Sequence, residues 1–124
     1  NIFELQKAIL NRDTVTANKI VNYYVSNTKK NPIIPAVAYL YSFFSKLLMA
    51  TQITDKSEKG MASELKMSPY AARDYTLALR QYHPQKIMDN ISSLKEADLK
   101  LKGVNVASSD DGQTFRELVW RLMN

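Results

Sequence analysis

Apolar residues recur along this chain at spacings of three and four, the period of a helix with one buried face. Phe3, Leu5, Ala8, Ile9 and Leu10 predict a short amphipathic first helix. Asn11-Arg12-Asp13 reads as a turn, with Asp13 or Thr14 placed to cap a second helix. Ala17, Ile20, Val21, Tyr24 and Val25 mark that helix, which ends near Ser26 and Asn27. A cationic polar loop at 28–31 follows, and Pro32 and Pro35 bracket the start of a third helix over about 35–52. Tyr39, Leu40, Tyr41, Phe43, Phe44, Leu47, Leu48 and Met49 cannot share one face of it. A helix apolar nearly all round is expected to be buried on several sides, as the hub of its neighbours.

Residues 54–58 are polar and read as a loop, and Met61, Ala62 and Leu65 support a short helix over 58–66. Pro69 follows Ser68, and Pro84 follows His83, each where a helix begins. Proline costs nothing there, because its missing N–H would have had no helical partner. The helix after Ser68 is expected to turn Tyr70 or Ala71, Tyr75, Ala78, Leu79 and Tyr82 inward. After Pro84, the residues Ile87, Ile91, Leu94, Ala97 and Leu101 draw a seam along a helix roughly 25 Å long. Gly103 after a cationic last turn is a helix stop. Segment 104–112 reads as a loop, Thr114 or Asp111 as the next cap, and Phe115, Leu118, Val119 and Leu122 as the stripe of a last helix. No segment keeps a period of two, and Val104-Asn105-Val106 is too short for a strand. The expected fold is all-α, a single compact bundle of about six or seven helices over 1–124.

Composition sharpens this. Three Gly and four Pro are too few for a turn-rich β protein, and 45% hydrophobic content is enough for a core. The absence of Cys excludes disulfides, zinc-thiolate sites and cysteine nucleophiles, and fits a reducing, cytoplasmic setting. A net charge of +5 permits an acidic or nucleic-acid partner without demanding one. The apolar run 36–50 is broken by Ser42, Ser45 and Lys46 and falls short of the roughly 20 residues of a membrane span. The chain opens on Asn1 in a segment that already reads as helix, with no signal peptide; it is read as a C-terminal fragment of a longer protein.

Few side chains offer chemistry. His83, the one histidine, precedes a helix-starting proline and reads as a cap or surface residue. Glu96 and Asp98 are two apart, so they point in different directions on a helix and do not form a glycosidase-like pair. Asp98 borders the apolar seam. It is expected to be a buried structural polar residue, met by a helix N-terminus or by an arginine, with Arg73 and Arg80 the candidates. Gly60 and Gly103 are isolated, so there is no phosphate-binding glycine loop. No catalytic residue, metal ligand or cofactor site is expected. Segment 58–81 imitates a helix-turn-helix, with Tyr70 and Arg73 as DNA-facing candidates, but Tyr75, Ala78 and Leu79 look like core and favour a plain αα-hairpin. Trp120 lies about 140° from Phe115 around the last helix. Beside Arg116 and Arg121 it is either an interface anchor or a residue covered by a neighbouring helix.

Three motifs carry a resemblance. They are Ser68-Pro69-Tyr70-Ala71-Ala72-Arg73 after a short helix, Leu94-Lys95-Glu96-Ala97-Asp98-Leu99-Lys100-Leu101-Lys102-Gly103, and the closing Phe115-Arg116-Glu117-Leu118-Val119-Trp120-Arg121-Leu122. In order and spacing they resemble the C-terminal domain of the delta subunit of bacterial DNA polymerase III, a part of the sliding-clamp loader. Two departures stand out: a longer loop at 104–113, and Ser68 where the family has a His. The resemblance implies a helical collar piece that joins the gamma or tau subunits and delta prime in a ring. ATP hydrolysis would belong to those partners, and the sliding clamp would be met only through an N-terminal domain outside this sequence. Any DNA contact would be weak or indirect, and no membrane is implied. Arg116, Trp120 and Arg121 are the candidate partner-binding residues. The runner-up function is a helix-turn-helix DNA-binding module.

Overall fold

Local signals start and stop each helix. The computed structural model describes residues 1–103 and 110–124, and among these it contains seven helices and no strand: α1 (Ile2–Leu10), α2 (Thr14–Ser26), α3 (Ile33–Ala50), α4 (Glu58–Leu65), α5 (Pro69–Gln81), α6 (Pro84–Leu101) and α7 (Asp111–Met123). The all-α bundle expected from periodicity is the fold observed. The expectations for 104–109 lie outside the described residues.

Every helix except α3 opens on a side-chain cap. Asp13 Oδ1 accepts from Thr16 N at 3.1 Å, Ser57 Oγ from Gly60 N at 3.0 Å and Ser68 Oγ from Ala71 N at 3.1 Å. His83 Nδ1 accepts from Gln85 N at 3.2 Å, so the lone histidine is a cap. The last helix is capped by Asp110, whose Oδ1 accepts from Gln113 N at 3.1 Å. Neither Thr114 nor Asp111 does this; Asp111 sits one position later, in the first turn, where its charge still complements the helix dipole. Helix α3 begins at Ile33, two residues before the expected Pro35. Pro35 stands in the first turn, where an N–H has no helical acceptor, so it does not limit the start. Gly103 has φ +78°, the left-handed stop its position predicts.

Helix α3 packs against α1, α4, α5 and α6 and is the hub. Its inner residues Val37, Leu40, Phe44 and Leu47 meet Leu5, Ile9, Ile87, Leu94, Phe115 and Leu122 in one core. The Phe44 ring stands edge-on to Tyr82 at 5.5 Å, and Phe43 lies 4.7 Å from Tyr75. A smaller cluster of Ala50, Met61, Ala62 and Ala72 fastens the end of α3 to the α4–α5 hairpin. By length and mean hydropathy (1.5) α3 alone would pass for a membrane span; its four packed neighbours make it a core helix instead. It is not enclosed all round, however: Ile34, Tyr41 and Met49 keep an outer strip exposed. One hub helix has room for neighbours on part of its circumference only.

Candidate functional site

Helix α7 buries Phe115, Leu118, Val119 and Leu122 as its apolar stripe requires, and Met123 joins them. Arg116, Glu117, Trp120 and Arg121 are among the residues left outside. Trp120 is 62% exposed, so no neighbouring helix covers it. Arg116 Nη1 donates to Asn22 Oδ1 on α2. At the other end, Arg12 Nη1, just before α2, donates to the Met123 carbonyl at 3.3 Å. These two links fix α2 and α7 as antiparallel. They place Trp120, one turn beyond Arg116, toward the α2 N-terminus, where Val15 is also exposed. Arg121 lies on the opposite flank, over the α6–α7 groove with Glu96, Lys100 and Glu117. Trp120 thus stands beside Arg116 on the outward side of α7, with Glu117 and Arg121 on the flank toward α6.

The C-terminal end of α7 is held by donors from elsewhere in the chain. Lys86 Nζ donates to the Arg121 carbonyl at 2.6 Å. The Leu122 carbonyl accepts from Tyr82 Oη at 3.0 Å and from Asn90 Nδ2 at 3.2 Å. Arg12 reaches Met123 as above and, through Nη2, the Gln81 carbonyl at 3.1 Å at the end of α5. The last carbonyls of a helix lack intrahelical donors and carry the negative end of its dipole, so cationic and hydroxyl donors belong there. The result is a rigid platform for Trp120. Burial pushes the Tyr82 phenol up to about 12, against the opposing charge of Arg12, and desolvation lowers the Lys86 ammonium.

The α4–α5 hairpin turns through Lys66, at φ 55°. Within α5, Tyr75 and Ala78 face the core, with Tyr82 just beyond its end, but Tyr70 and Ala71 do not. Ala72 takes that place, because the close approach to Ala50, Met61 and Ala62 admits a methyl and not a tyrosyl ring. Tyr70 is 76% exposed. Arg73 Nε donates to Glu58 Oε1 at 3.1 Å, and its guanidinium lies 6.0 Å from the Tyr70 ring centroid. The two DNA-facing candidates therefore engage each other and an acid.

Asp98 requires a correction. It is not a buried polar residue, and it meets neither Arg73 nor Arg80. Its carboxylate is half-buried and accepts from Lys102 Nζ at 2.9 Å, one turn along the same helix. Asp98 sits beside the seam and not in it, so its partner comes from its own surface at i+4. Among the described residues, the buried polar ones are Gln6 and Asn90. Periodicity contained a signal for both: Gln6 lies between Leu5 and Ala8, and Asn90 falls three after Ile87 and four before Leu94. Arg12, which looks like an ordinary turn residue in the sequence, ties two helix ends together.

The family described as DNA polymerase III delta subunit, C-terminal domain, matches residues 1–113 of the chain. No curated protein and no solved structure matches it. The matched span takes in α1 to α6 and the first residues of α7; Arg116, Trp120 and Arg121 lie beyond it.

Proposed function

The chain belongs to the family of C-terminal domains of the DNA polymerase III delta subunit, a clamp-loader component in DNA replication, and from that premise we propose that it acts as a collar piece. It docks side by side with the corresponding domains of the gamma or tau subunits and delta prime, in the cytoplasm, and fixes where delta sits in the ring. ATP hydrolysis belongs to the partners, and the sliding clamp is met through a domain outside this sequence. The docking face is the outer side of α7, with Trp120 as its anchor and Arg116 and Arg121 beside it.

The observation that carries this reading is an exposed tryptophan on a helix whose inner face and C-terminal end are tied in at many points. Tryptophan and arginine on a rigid platform are the residue types that concentrate binding energy in interfaces. The helix-turn-helix alternative has less support, since Glu58 occupies Arg73.

Mixing the chain with purified gamma or tau and delta prime subunits, and measuring complex mass and affinity, tests the proposal. Trp120→Ala should weaken binding by about 2 kcal/mol or more, roughly thirtyfold, while leaving the melting temperature unchanged. Unchanged affinity in that variant removes Trp120 from the interface.

A further inference from the structure

The outer strip of α3 has a regular build. Ile34, Ala38, Tyr41, Ser45 and Leu48 follow one another at spacings of four, three, four and three. At 100° per residue they fall within about 80° of arc, along about 21 Å of helix. This is the spacing of a seam that meets a second helix along its length. Large side chains alternate with small ones, so Ala38 and Ser45 are hollows between the ridges of Ile34, Tyr41 and Leu48. The seam is nonetheless open to solvent: Ile34, Ala38 and Tyr41 are exposed, and Ser45 and Leu48 are half-buried. Met49, 65% exposed, extends it at the C-terminal end.

Helix α6, packed against both α3 and α7, supplies a second wall. Its residues Ser93, Glu96, Ala97 and Lys100 line the groove with α7. Met88, Ile91 and Lys95 lie about 130–170° round the helix from the middle of that group, on the flank toward α3. The charges beside the seam are of one sign. Lys46 is the only charged residue of α3 and flanks the strip on one side, as Lys95 does on the other. Both are exposed, and neither has an ion-pair partner among the described residues. Asp98, the acid on this flank of α6, is taken by Lys102.

We propose that the α3–α6 face docks an amphipathic helix of a protein partner, one whose apolar seam is flanked by acidic side chains. Ridges and hollows at helical spacing select a helix. Unpaired cations on both flanks select acids beside its seam, as flanking charges choose the partner when two helices pair. A second copy of this chain would bring cations to cations across the same face, so self-pairing is disfavoured. A lipid surface would accept the apolar strip but makes no use of the hollows. The α7 flank of α6 lies on its other side, so this face is separate from that of Trp120 and does not rest on the collar reading.

The test is a titration of the ¹⁵N-labelled 124-residue chain with two designed three-heptad helical peptides. Both carry the same Leu and Ala seam; one is flanked by Glu and the other by Lys. Vesicles of phosphatidylglycerol are run beside them. The Glu-flanked peptide should bind saturably in the micromolar range, with shifts at Ala38, Tyr41, Ser45 and Met88 and none at Trp120. The Lys-flanked peptide should bind about tenfold more weakly or worse. Ala38→Gln fills a hollow at an exposed position, so it should weaken binding about tenfold and leave the melting temperature unchanged. Lys95→Glu should narrow or reverse the preference between the peptides. Absence of saturable binding, equal affinity for the two peptides, shifts centred on Trp120, or undiminished binding by Ala38→Gln would each overturn the proposal. So would dimerisation of the chain through this face, or its occupation by the vesicles and not the peptide.

Discussion

The Tyr82 hydroxyl lies 3.0 Å from the Leu122 carbonyl and 3.4 Å from that of Ile9, so one donor serves the ends of two helices. Removing it in Tyr82→Phe leaves Leu122 with Asn90 alone and Ile9 without that donor. The expected loss is about 1–2 kcal/mol in denaturant unfolding. The same group predicts a pH effect. Burial raises its pKa in the folded chain to about 12, above the 10.0 of an ordinary tyrosine, so the folded chain holds this proton more tightly than the unfolded one. Stability from this source is complete below pH 10 and is lost as pH rises from 10 to 12, with a slope of about 1.4 kcal/mol per pH unit for each such tyrosine. Tyr75 adds to it in the same window. Lys86, lowered from 10.5 by desolvation, acts in the opposite direction and only below 10.5. The free energy of unfolding measured between pH 9 and 12 should therefore fall less steeply in Tyr82→Phe than in the parent. Tyr82 was legible as a core residue from its spacing. Its role as a donor was not, because its acceptors lie 40 and 73 residues away.

At the scale of the element, α3 and α4 show how packing overrides local preference. Phe44 fills the centre of the hub, edge-on to Phe43 and Tyr82. Phe44→Ala should cost about 3–5 kcal/mol, through lost burial and the cavity left behind, read as a shift in the denaturant midpoint. Gly60 stands in the first turns of α4, where alanine would be the better helix former by about 1 kcal/mol. Yet a Cβ there would lie 2.2 Å from Asp55 Cγ and 2.6 Å from Asp55 Cβ. Asp55 is held by Ser57, whose N–H it accepts at 3.0 Å, and hydrogen bonding to Ser57 keeps its carboxyl below the usual range. Gly60→Ala should therefore destabilise the chain by about 1 kcal/mol or more, and should be harmless in an Asp55→Gly background. The sequence marked Gly60 only as isolated. The reason for it is a side chain five residues away, folded back over the helix start.

For the whole molecule, the proposed docking face predicts a particular salt response. Binding to partner subunits through Trp120 should change little with ionic strength, whereas duplex binding through phosphate contacts would weaken steeply. Titrations from low to high salt, run beside the Trp120→Ala comparison, separate the two. The helices, the caps at Asp13, Ser68 and His83 and most of the stripes they bury followed from the chain itself, because caps and amphipathic periods act within a few residues. The all-α class and the family motifs were legible for the same reason. The tertiary structure alone decided which side of α3 stays open, that Ala72 and not Tyr70 packs inward, and that Asp98 pairs along its own helix. It also brought Arg12, Tyr82, Lys86 and Asn90 to the end of α7, and set Gln6 against Asp74. Those outcomes depend on which helix lies beside which, a choice made by packing between residues far apart in sequence and invisible to any local pattern.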